Sequence, residues 1–291
     1  MARVSLRLAE NVSGDVYVDE TCIDCDTCRR LAPETFARSA RGFSFVHRQP
    51  RDEAERLRTG MALVSCPTAS IGTVEKADVS AAIAAFPERI LDGVHDCGFA
   101  AESSFGATSY LVVREGGNVL VDSPRAARPL VQRIEQLGGL GWMFLTHRDD
   151  VADHRRWRAR FGCERVLHRA DVGRDTADIE RPLEGQDPIR LAPDLLAIPV
   201  PGHTRGSCAL LYRNVLFTGD HLWADEDDGR LSASRGVCWY SWPAQLRSLE
   251  RLLDFDFEWV LPGHGRPFRA PSPSAMRIAL GSAISVLKAN A

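Results

Sequence analysis

The sequence predicts an α/β protein built from two parts that carry different metal chemistry. The first 75 residues contain four of the eight cysteines, three of them in tandem with two residues between neighbours. From residue 86 onward, short apolar runs repeatedly end at a histidine or an aspartate. We therefore expect a small α+β domain at residues 1–75, a short helical linker at 76–85 and a larger α/β domain at 86–291.

The composition is that of a globular chain without a strong charge bias. Of its 291 residues 44% are hydrophobic and 26% are charged, and the net charge is -3. Such a balance gives no basic field that would attract nucleic acid. No apolar run approaches the roughly 20 residues that span a bilayer, and the first ten residues lack the pattern of a signal peptide. We expect a cytoplasmic protein that acts on a small molecule, with no nucleic-acid or membrane partner.

The N-terminal part alternates ligand loops with short regular elements. Asp15–Asp19 alternates apolar and polar residues as a strand does, and it leads directly into the tandem cysteines. Farther along, Phe43–Val46 predicts a second strand and Arg51–Leu63 predicts a helix. These elements are expected to hold the cysteine loop close to a remote fourth cysteine.

The cysteines predict an iron–sulfur cluster. Three lie on one loop and the fourth precedes Pro67; they are Cys22, Cys25, Cys28 and Cys66. Spacing by two residues lets successive thiolates reach the corners of one cubane, and the full set of four favours four irons over three. Zinc is the alternative, although zinc ribbons usually pair two separate C-x-x-C knuckles. We expect one [4Fe-4S] cluster on these four residues.

These residues resemble the single-cluster bacterial ferredoxins. The resemblance covers about the first 75 residues and includes Pro33–Phe36 and the ending Cys66–Ile71. It implies a domain that carries single electrons, and it adds an electron-transfer protein as a candidate partner.

Short apolar strands recur through the C-terminal part. After a boundary at Phe86-Pro87, Thr108–Val113 and Asn118–Asp122 predict a hairpin that turns at Gly116-Gly117. Arg128–Leu137 has the apolar spacing of a helix. Four later strands each precede a candidate metal ligand: Met143–Thr146, Leu195–Val200, Val215–Thr218 and Trp259–Leu261.

The residues that follow these strands resemble the ligands of the metallo-β-lactamase superfamily over residues 86–291. The resemblance implies an αββα sandwich with one or two zinc or iron ions. The ligands that it implies are His147, Asp149, Asp153, His154, His203, Asp220 and His264. Asp220 takes the position that bridges two metals, and Asp122 takes the position of a buried aspartate that supports the site from outside. His221, next to the bridge, is expected to line the site without binding metal.

The first ligand motif departs from the family pattern of H-x-H-x-D-H. Asp149 replaces the second histidine, and two extra residues stand before Asp153 and His154. If the loop absorbs them, two metals bind, one to His147, Asp149 and His203, the other to Asp153, His154 and His264. If it does not, one metal remains on His147, His203 and Asp220. A helix is predicted over Arg155–Phe161, so capping this helix is the alternative role for Asp149, Asp150 and Asp153.

Two enzyme classes fit these motifs. A metal-dependent hydrolase is placed first, because hydrolysis is the commonest activity of the superfamily. A metal-bound hydroxide would attack an ester, thioester or amide, and Asp153 would orient it or protonate the leaving group. The segment Trp223–Trp242 is then a lid over the substrate or, equally, a solvated loop.

The alternative class is a non-haem iron oxidoreductase. A hydrolase has no use for electrons, whereas a fused cluster would pass them to iron. A carboxylate at the position of Asp149 occurs in the flavodiiron branch of the superfamily, which reduces oxygen or nitric oxide. A third reading, a binding module tethered to an electron carrier, is disfavoured by the nearly complete ligand set.

Overall fold

The protein, represented by a computed structural model that describes residues 2–290, is a mixed α/β chain with two compact units. One unit holds the residues up to 141 together with 152–162, and the other holds 142–151 together with the residues from 163 onward. Within the described range, no helix combines the length and apolar character that a bilayer crossing requires. The predicted domain limits at 75 and 86 are not tested by this division and stay a prediction.

The first unit contains short strands and five α-helices among its described residues. Its strands are β1 Val16–Val18, β2 Phe36–Arg38, β3 Ser44–Val46, β4 Ile71–Thr73, β5 Glu88–Leu91, β6 Val94–Asp96, β7 Tyr110–Val112 and β8 Val119–Val121. Its helices are α1 Thr27–Leu31, α2 Glu53–Ser65, α3 Ser80–Ala84, α4 Arg128–Gln136 and α5 His154–Phe161.

Antiparallel pairs organise this unit. Strand β1, before the tandem cysteines, pairs with β4, after Cys66, and β2 pairs with β3 in the segment between them. Strands β5 to β8 form an antiparallel meander. The β7–β8 hairpin turns at Gly116-Gly117, and both glycines have positive φ, as the predicted turn requires.

In this unit, α2 begins with a side-chain cap, whereas α3 begins without one. The Asp52 side chain accepts a hydrogen bond from the backbone N–H of Glu55, which caps α2 and fixes its first turn. The alanine-rich linker forms a helix only over Ser80–Ala84, shorter than predicted, and no side chain caps its start. Without a cap and with a single buried residue, little holds a longer helix in place there.

The second unit contains the remaining regular elements of the described chain. Its strands are β9 Trp142–Phe144, β10 Glu164–His168, β11 Arg181–Leu183, β12 Ile189–Ala192, β13 Leu195–Pro199, β14 Cys208–Tyr212, β15 Val215–Gly219, β16 Trp223–Ala224, β17 Leu231–Ser232, β18 Trp259–Pro262 and β19 Phe268–Arg269. Its helices are α6 Trp242–Leu252 and α7 Pro273–Ala289.

A six-stranded sheet dominates this unit, with strand order β12-β13-β14-β15-β18-β19. Its apolar side chains pack with those of α6 and α7 in one core that includes Leu216, Leu249, Val260 and Leu280. Strands β15 and β18 are parallel neighbours, and Gly219 pairs with Pro262 at their carboxyl ends. Asp220 follows β15 directly and His264 lies two residues after the end of β18, so both are brought to the same edge of the sheet.

The segment predicted as a lid or a solvated loop has regular structure of its own. Strands β16 and β17 form a small antiparallel hairpin, and Arg235–Val237 is a short 3-10 helix before α6. Trp239 and Tyr240, at the end of the segment, are exposed. Their backbone N–H groups both donate to the carbonyl of His203. The segment is thus fixed to the loop that carries this histidine.

Candidate metal centre and cysteine site

The four predicted cluster cysteines line one small cavity in the first unit. Their sulfurs are joined there by apolar side chains, including those of Ile23 and Ile71. Four cysteines around one cavity give the number of ligands that a [4Fe-4S] cluster requires.

The cysteine loop has a strained backbone that a buried arginine holds. Asp24 and Asp26 have φ values of 58° and 67°, in the left-handed region. Arg29 lies 2.8 Å from a carboxylate oxygen of each, and only 4% of its side chain is exposed. The loop can thus turn twice within the cysteine run because a guanidinium compensates both carboxylates. The sequence motif alone did not identify Arg29.

Burial makes the free thiolates of this site unfavourable. Burial raises the pKa of Cys25 to about 11, and it raises the pKa of Cys28 further. Thiolate ligands therefore need a positive group within the cavity, which iron ions supply. The backbone N–H of Ser70 points to the Cys66 sulfur at 3.2 Å, a contact that stabilises a ligating thiolate.

The cysteine loop also packs against the segment before β7. The Thr27 hydroxyl donates to the carbonyl of Gly106 at 3.1 Å. A Cβ atom at position 106 would lie 2.6 Å from the Cβ of Cys25 and 2.8 Å from its sulfur, and Gly106 has φ of +84°. Both the close approach and the backbone conformation require glycine at this position.

Arg125 lies beside the fourth cysteine. Its guanidinium donates to the carbonyls of Ala100 and Val64, each at 2.8 Å. Burial lowers the pKa of Arg125, while the charge of Cys66 raises it, followed by that of Asp153. Backbone carbonyls therefore hold the positive charge of Arg125 next to the cluster site. Among the described residues, no ion pair neutralises this charge.

In the second unit, two groups of ligand atoms converge at the ends of the strands. One contains His147, His203 and Asp220, and the other contains Asp150, Asp220 and His264. Within each group the atoms lie within 4.8 Å of one another. Asp220 belongs to both groups, which places its carboxylate where the bridging ligand of two metals would lie.

The separations in the first group suit a shared metal ion. The Nε2 of His147 is 3.8 Å from an oxygen of Asp220, and the Nε2 of His203 is also 3.8 Å from it. Asp149 approaches the Nε2 of His203 at 3.4 Å. Two atoms each about 2.1 Å from one metal lie roughly 3–4 Å apart. The Nε2 of His147 is buried and has no hydrogen-bond partner, as expected for an atom that faces a metal position.

Hydrogen bonds outside the centre orient its histidines. The Nδ1 of His203 lies 2.6 Å from the carbonyl of Val237, so Nδ1–H donates and Nε2 keeps its lone pair for the centre. The Nδ1 of His147 lies 3.0 Å from the Thr146 hydroxyl. His264 approaches Asp220 through Nδ1, at 2.8 Å and 2.9 Å from its two oxygens.

The charges of the centre follow from burial and from neighbouring groups. Burial lowers the pKa of His147 to about 4, so its imidazole is neutral, as ligation requires. Burial also lowers the pKa of His203, but the neighbouring carboxylates of Asp149 and Asp220 outweigh this effect and raise it. Burial raises the pKa of Asp220, yet His264 and the other histidines hold it well below its ordinary value.

Asp150 enters the centre, whereas the sequence pattern pointed to Asp153 and His154. Neither of those two belongs to the converging groups found among the described residues. The Asp153 carboxylate accepts the backbone N–H of Ala126 at 2.8 Å and pairs with Arg156 at 3.0 Å. Asp153 precedes α5 but makes no capping bond with its side chain. Its ligand and catalytic roles, and the ligand role of His154, stay predictions.

A glycine shapes the second half of the centre. A Cβ atom at Gly263 would lie 2.9 Å from an oxygen of Asp220 and 3.0 Å from one of Asp150. The two carboxylates can therefore face each other across this position only because no side chain stands there. The Gly-His pair after β18 was recognised in the sequence, but its steric role needs the fold.

His221 is deeply buried, and neither of its ring nitrogens has a hydrogen-bond partner among the described residues. Burial, together with the charge of His203, lowers its pKa to about 3. It therefore stays neutral beside the centre. Its predicted place along the site, outside the ligand set, stays a prediction.

Comparison with known families agrees with both sites. The family model described as the 4Fe-4S single cluster domain of ferredoxin I matches residues 18–73. The model of the metallo-beta-lactamase superfamily matches residues 138–264. The chain joins a single-cluster ferredoxin domain to a metallo-β-lactamase superfamily domain. Both predicted resemblances are thus confirmed.

Solved structures show the same fold for the metallo-β-lactamase domain. The DIM-1 metallo-β-lactamase is 16% identical, with a TM-score of 0.51 over 70% of this chain and 97% of that one. A metallo-β-lactamase family protein from Thermus thermophilus is 20% identical, with a TM-score of 0.50 over 69% and 81%. No curated protein matches this chain. The predicted fold class, an αββα sandwich preceded by a small ferredoxin-like domain, is confirmed.

Gly106→Ala is expected to reduce the cluster content of the purified protein, because the added Cβ would displace Cys25. Iron and sulfide analysis with visible absorbance measures the loss. Gly229→Ala is the matched control, since Gly229 also has positive φ, +68°, but no atom lies within 4 Å of the added Cβ. Equal cluster content in the two variants would contradict the steric argument.

Arg125→Gln is expected to lower the midpoint potential of the cluster on the order of tens of millivolts, because a nearby positive charge favours the reduced, more negative cluster. A redox titration followed by electron paramagnetic resonance measures the shift. Arg125→Lys keeps the charge and should stay close to the wild-type potential. A shift of equal size in the lysine variant would assign the effect to lost hydrogen bonds.

Asp150→Asn is expected to remove one of two metals from the metallo-β-lactamase domain, since it weakens the group that contains His264. Asp153→Asn should keep both, because its carboxylate bonds to Ala126 and Arg156. Metal analysis of both variants, corrected for cluster iron through the sulfide content, gives the comparison. The reverse result would restore the ligand set that the family pattern implies.

Proposed function

We propose that the metallo-β-lactamase domain is a non-haem iron oxidoreductase, and that the ferredoxin domain of the same chain supplies its electrons. The observation that carries this proposal is the ligand set of the centre. Two histidines and one carboxylate, His147, His203 and Asp220, converge as one group. Two histidines with one carboxylate and open positions are typical of non-haem iron sites.

The remaining ligands extend the preference for iron. Asp149 and Asp150 bring the carboxylates near the centre to three, beside three histidines. Carboxylate oxygens are hard ligands, and a centre rich in them suits redox-active iron better than one rich in imidazole and thiolate. Sequence reasoning counted Asp149 toward iron. Asp150 adds a second carboxylate at the place where it expected Asp153 and His154.

The ferredoxin domain gives the second line of support. A [4Fe-4S] cluster carries one electron at a time, and hydrolysis consumes none. Reduction of two nitric oxide molecules to nitrous oxide and water takes two electrons and two protons. Reduction of oxygen to two water molecules takes four of each. An external donor protein would then reload the cluster, which accounts for the expected electron-transfer partner.

When bound, the iron ions would hold the oxidised substrate and accept electrons. The chain supplies orientation and exclusion of water. His147 is neutral and 1% exposed, and His203 is fixed by the Val237 carbonyl. Trp239 stands 6.2 Å from His203 between ring centroids and offers an apolar surface over this side of the centre.

A metal-dependent hydrolase remains the second candidate. Asp220 is shared by both converging groups, so two metals would be neighbours. Neighbouring metals can share a hydroxide that attacks an ester, thioester or amide carbonyl, and this chemistry works with zinc. In that case the cluster would have a structural or sensing role.

Metal and sulfide analysis of anaerobically purified protein tests the two candidates, with wild type beside His203→Ala. The iron proposal expects about six irons and four sulfides in the wild type, with the irons beyond the cluster lost in the variant. About four irons, plus zinc that disappears in the variant, would overturn it in favour of the hydrolase.

Turnover supplies the matching functional test. Dithionite-reduced wild type should reoxidise rapidly when nitric oxide or oxygen is added, and His203→Ala should reoxidise much more slowly with its cluster intact. Cys25→Ser serves as the reciprocal variant, because it should lose the cluster, keep the iron centre and lose turnover with an external donor. Equal reoxidation rates in wild type and His203→Ala would contradict the proposal.

A further inference from the structure

The second unit contains a cavity of about 520 Å³ that holds none of the candidate metal ligands. Its walls come from the end of β10, the loop between β13 and β14, and α6. This volume lies within the range of small-molecule sites, about 300–1,000 Å³.

Three arginines line this cavity, and no aspartate or glutamate does. Arg247 and Arg251 are one turn apart on α6, so both side chains leave the same face of the helix. Arg205 comes from the loop that carries His203. Because the whole chain has a net charge of -3, this group of three positive charges is a local feature of the cavity.

Two of these guanidinium groups have no protein partner. Arg205 and Arg247 are exposed, and their guanidinium groups make neither a hydrogen bond nor an ion pair with any residue in the range 2–290. Arg251 donates to the carbonyl of Gln186 and lies 3.8 Å from an oxygen of Asp187. Arg251 is therefore anchored, while the other two remain available to an anion.

The other polar groups of the cavity are neutral or already engaged. The Nε2 of His168 lies 2.9 Å from the carbonyl of Gly185, and its Nδ1 accepts the N–H of Ala170. Both ring nitrogens of His168 are thus engaged within the protein. The Ser248 hydroxyl donates to the carbonyl of Pro201. The charge of the cavity is thus set by its arginines.

The cavity shares its backbone with the metal centre. Tyr240 lines the cavity, and its N–H donates to the carbonyl of His203 at 3.1 Å. Arg205 is two residues after that histidine. A ligand in the cavity would rest on the loop that carries His203 without contacting the metal ligands themselves.

We propose that this cavity binds an oxyanion with at least two negative charges, held by Arg205 and Arg247 with Arg251 as the fixed third contact. The guanidinium fork pairs with phosphate or carboxylate oxygens through two parallel hydrogen bonds. Three guanidinium groups distributed over a cavity of this size suit a molecule with several anionic groups. The site is independent of the metal that the centre binds.

Isothermal titration calorimetry of the full-length, metal-loaded protein tests the proposal, with pyrophosphate and tricarballylate as separate probes. Binding of pyrophosphate alone would assign a phosphate ligand, and binding of tricarballylate alone would assign a carboxylate ligand. For the probe that binds, the double variant Arg205→Gln, Arg247→Gln should weaken binding at least about tenfold, because it removes two charged contacts. Failure of both probes to bind the wild type would overturn the proposal.

Two controls separate the cavity from other anion sites. Arg213→Gln removes one positive charge from an exposed arginine outside the cavity, so it should bind the probe as the wild type does. His264→Ala weakens the metal centre and should also retain binding. Loss of binding in His264→Ala with no effect of the double variant would assign the probe to the metal centre. Equal weakening in Arg213→Gln would show a non-specific charge effect. Either result overturns the proposal.

Discussion

The metal centre depends on one carboxylate, that of Asp220, whose side chain is 13% exposed. It belongs to both groups of converging ligands, and three histidines face it. Such a carboxylate is costly to bury alone, because a charge removed from water needs partners. The parallel pairing of β15 with β18 supplies His264, and the neighbouring loops supply the other two histidines. The histidines at this edge of the sheet thus compensate the negative charge of Asp220.

The same constraint explains why glycines surround the centre. Gly219 precedes Asp220 with φ of +52°, and a Cβ there would collide with Thr146, whose hydroxyl contacts His147. Gly263 leaves room for two carboxylates to face each other. The ligands come from loops of different strands, so they converge only where the backbones approach closely. Glycine is the residue that permits this approach.

Much of this arrangement could be predicted from sequence because it depends on periodicity. Apolar strands that end at His147, His203, Asp220 and His264 predicted which residues share an edge, and four spaced cysteines predicted the cluster domain. The choice among Asp149, Asp150 and Asp153 could not be made from sequence, because a loop has no repeating pattern to show which side chain turns inward. Arg29 and Arg125 were also missed. Arg125 bonds to carbonyls that are distant in the chain, and Arg29 pairs with carboxylates whose positions depend on the left-handed φ angles of Asp24 and Asp26. The linker helix came out short because propensity without a cap or a buried face does not extend a helix.

The contacts of the cysteine loop bear on whether the ferredoxin domain is a separable module. Arg30 pairs at 2.6 Å with Asp96, whose side chain is 3% exposed, and the N–H of Phe99 donates to the Ser65 hydroxyl. A chain shortened to begin near residue 86 would leave the Asp96 carboxylate buried without its guanidinium, and it would uncover Gly106 and its neighbours. Residues 1–85 and the segment from Asp96 to Gly106 therefore support each other's packing. A ferredoxin exchanged into this chain would need an arginine in place of Arg30 and a small, close-fitting loop against Gly106.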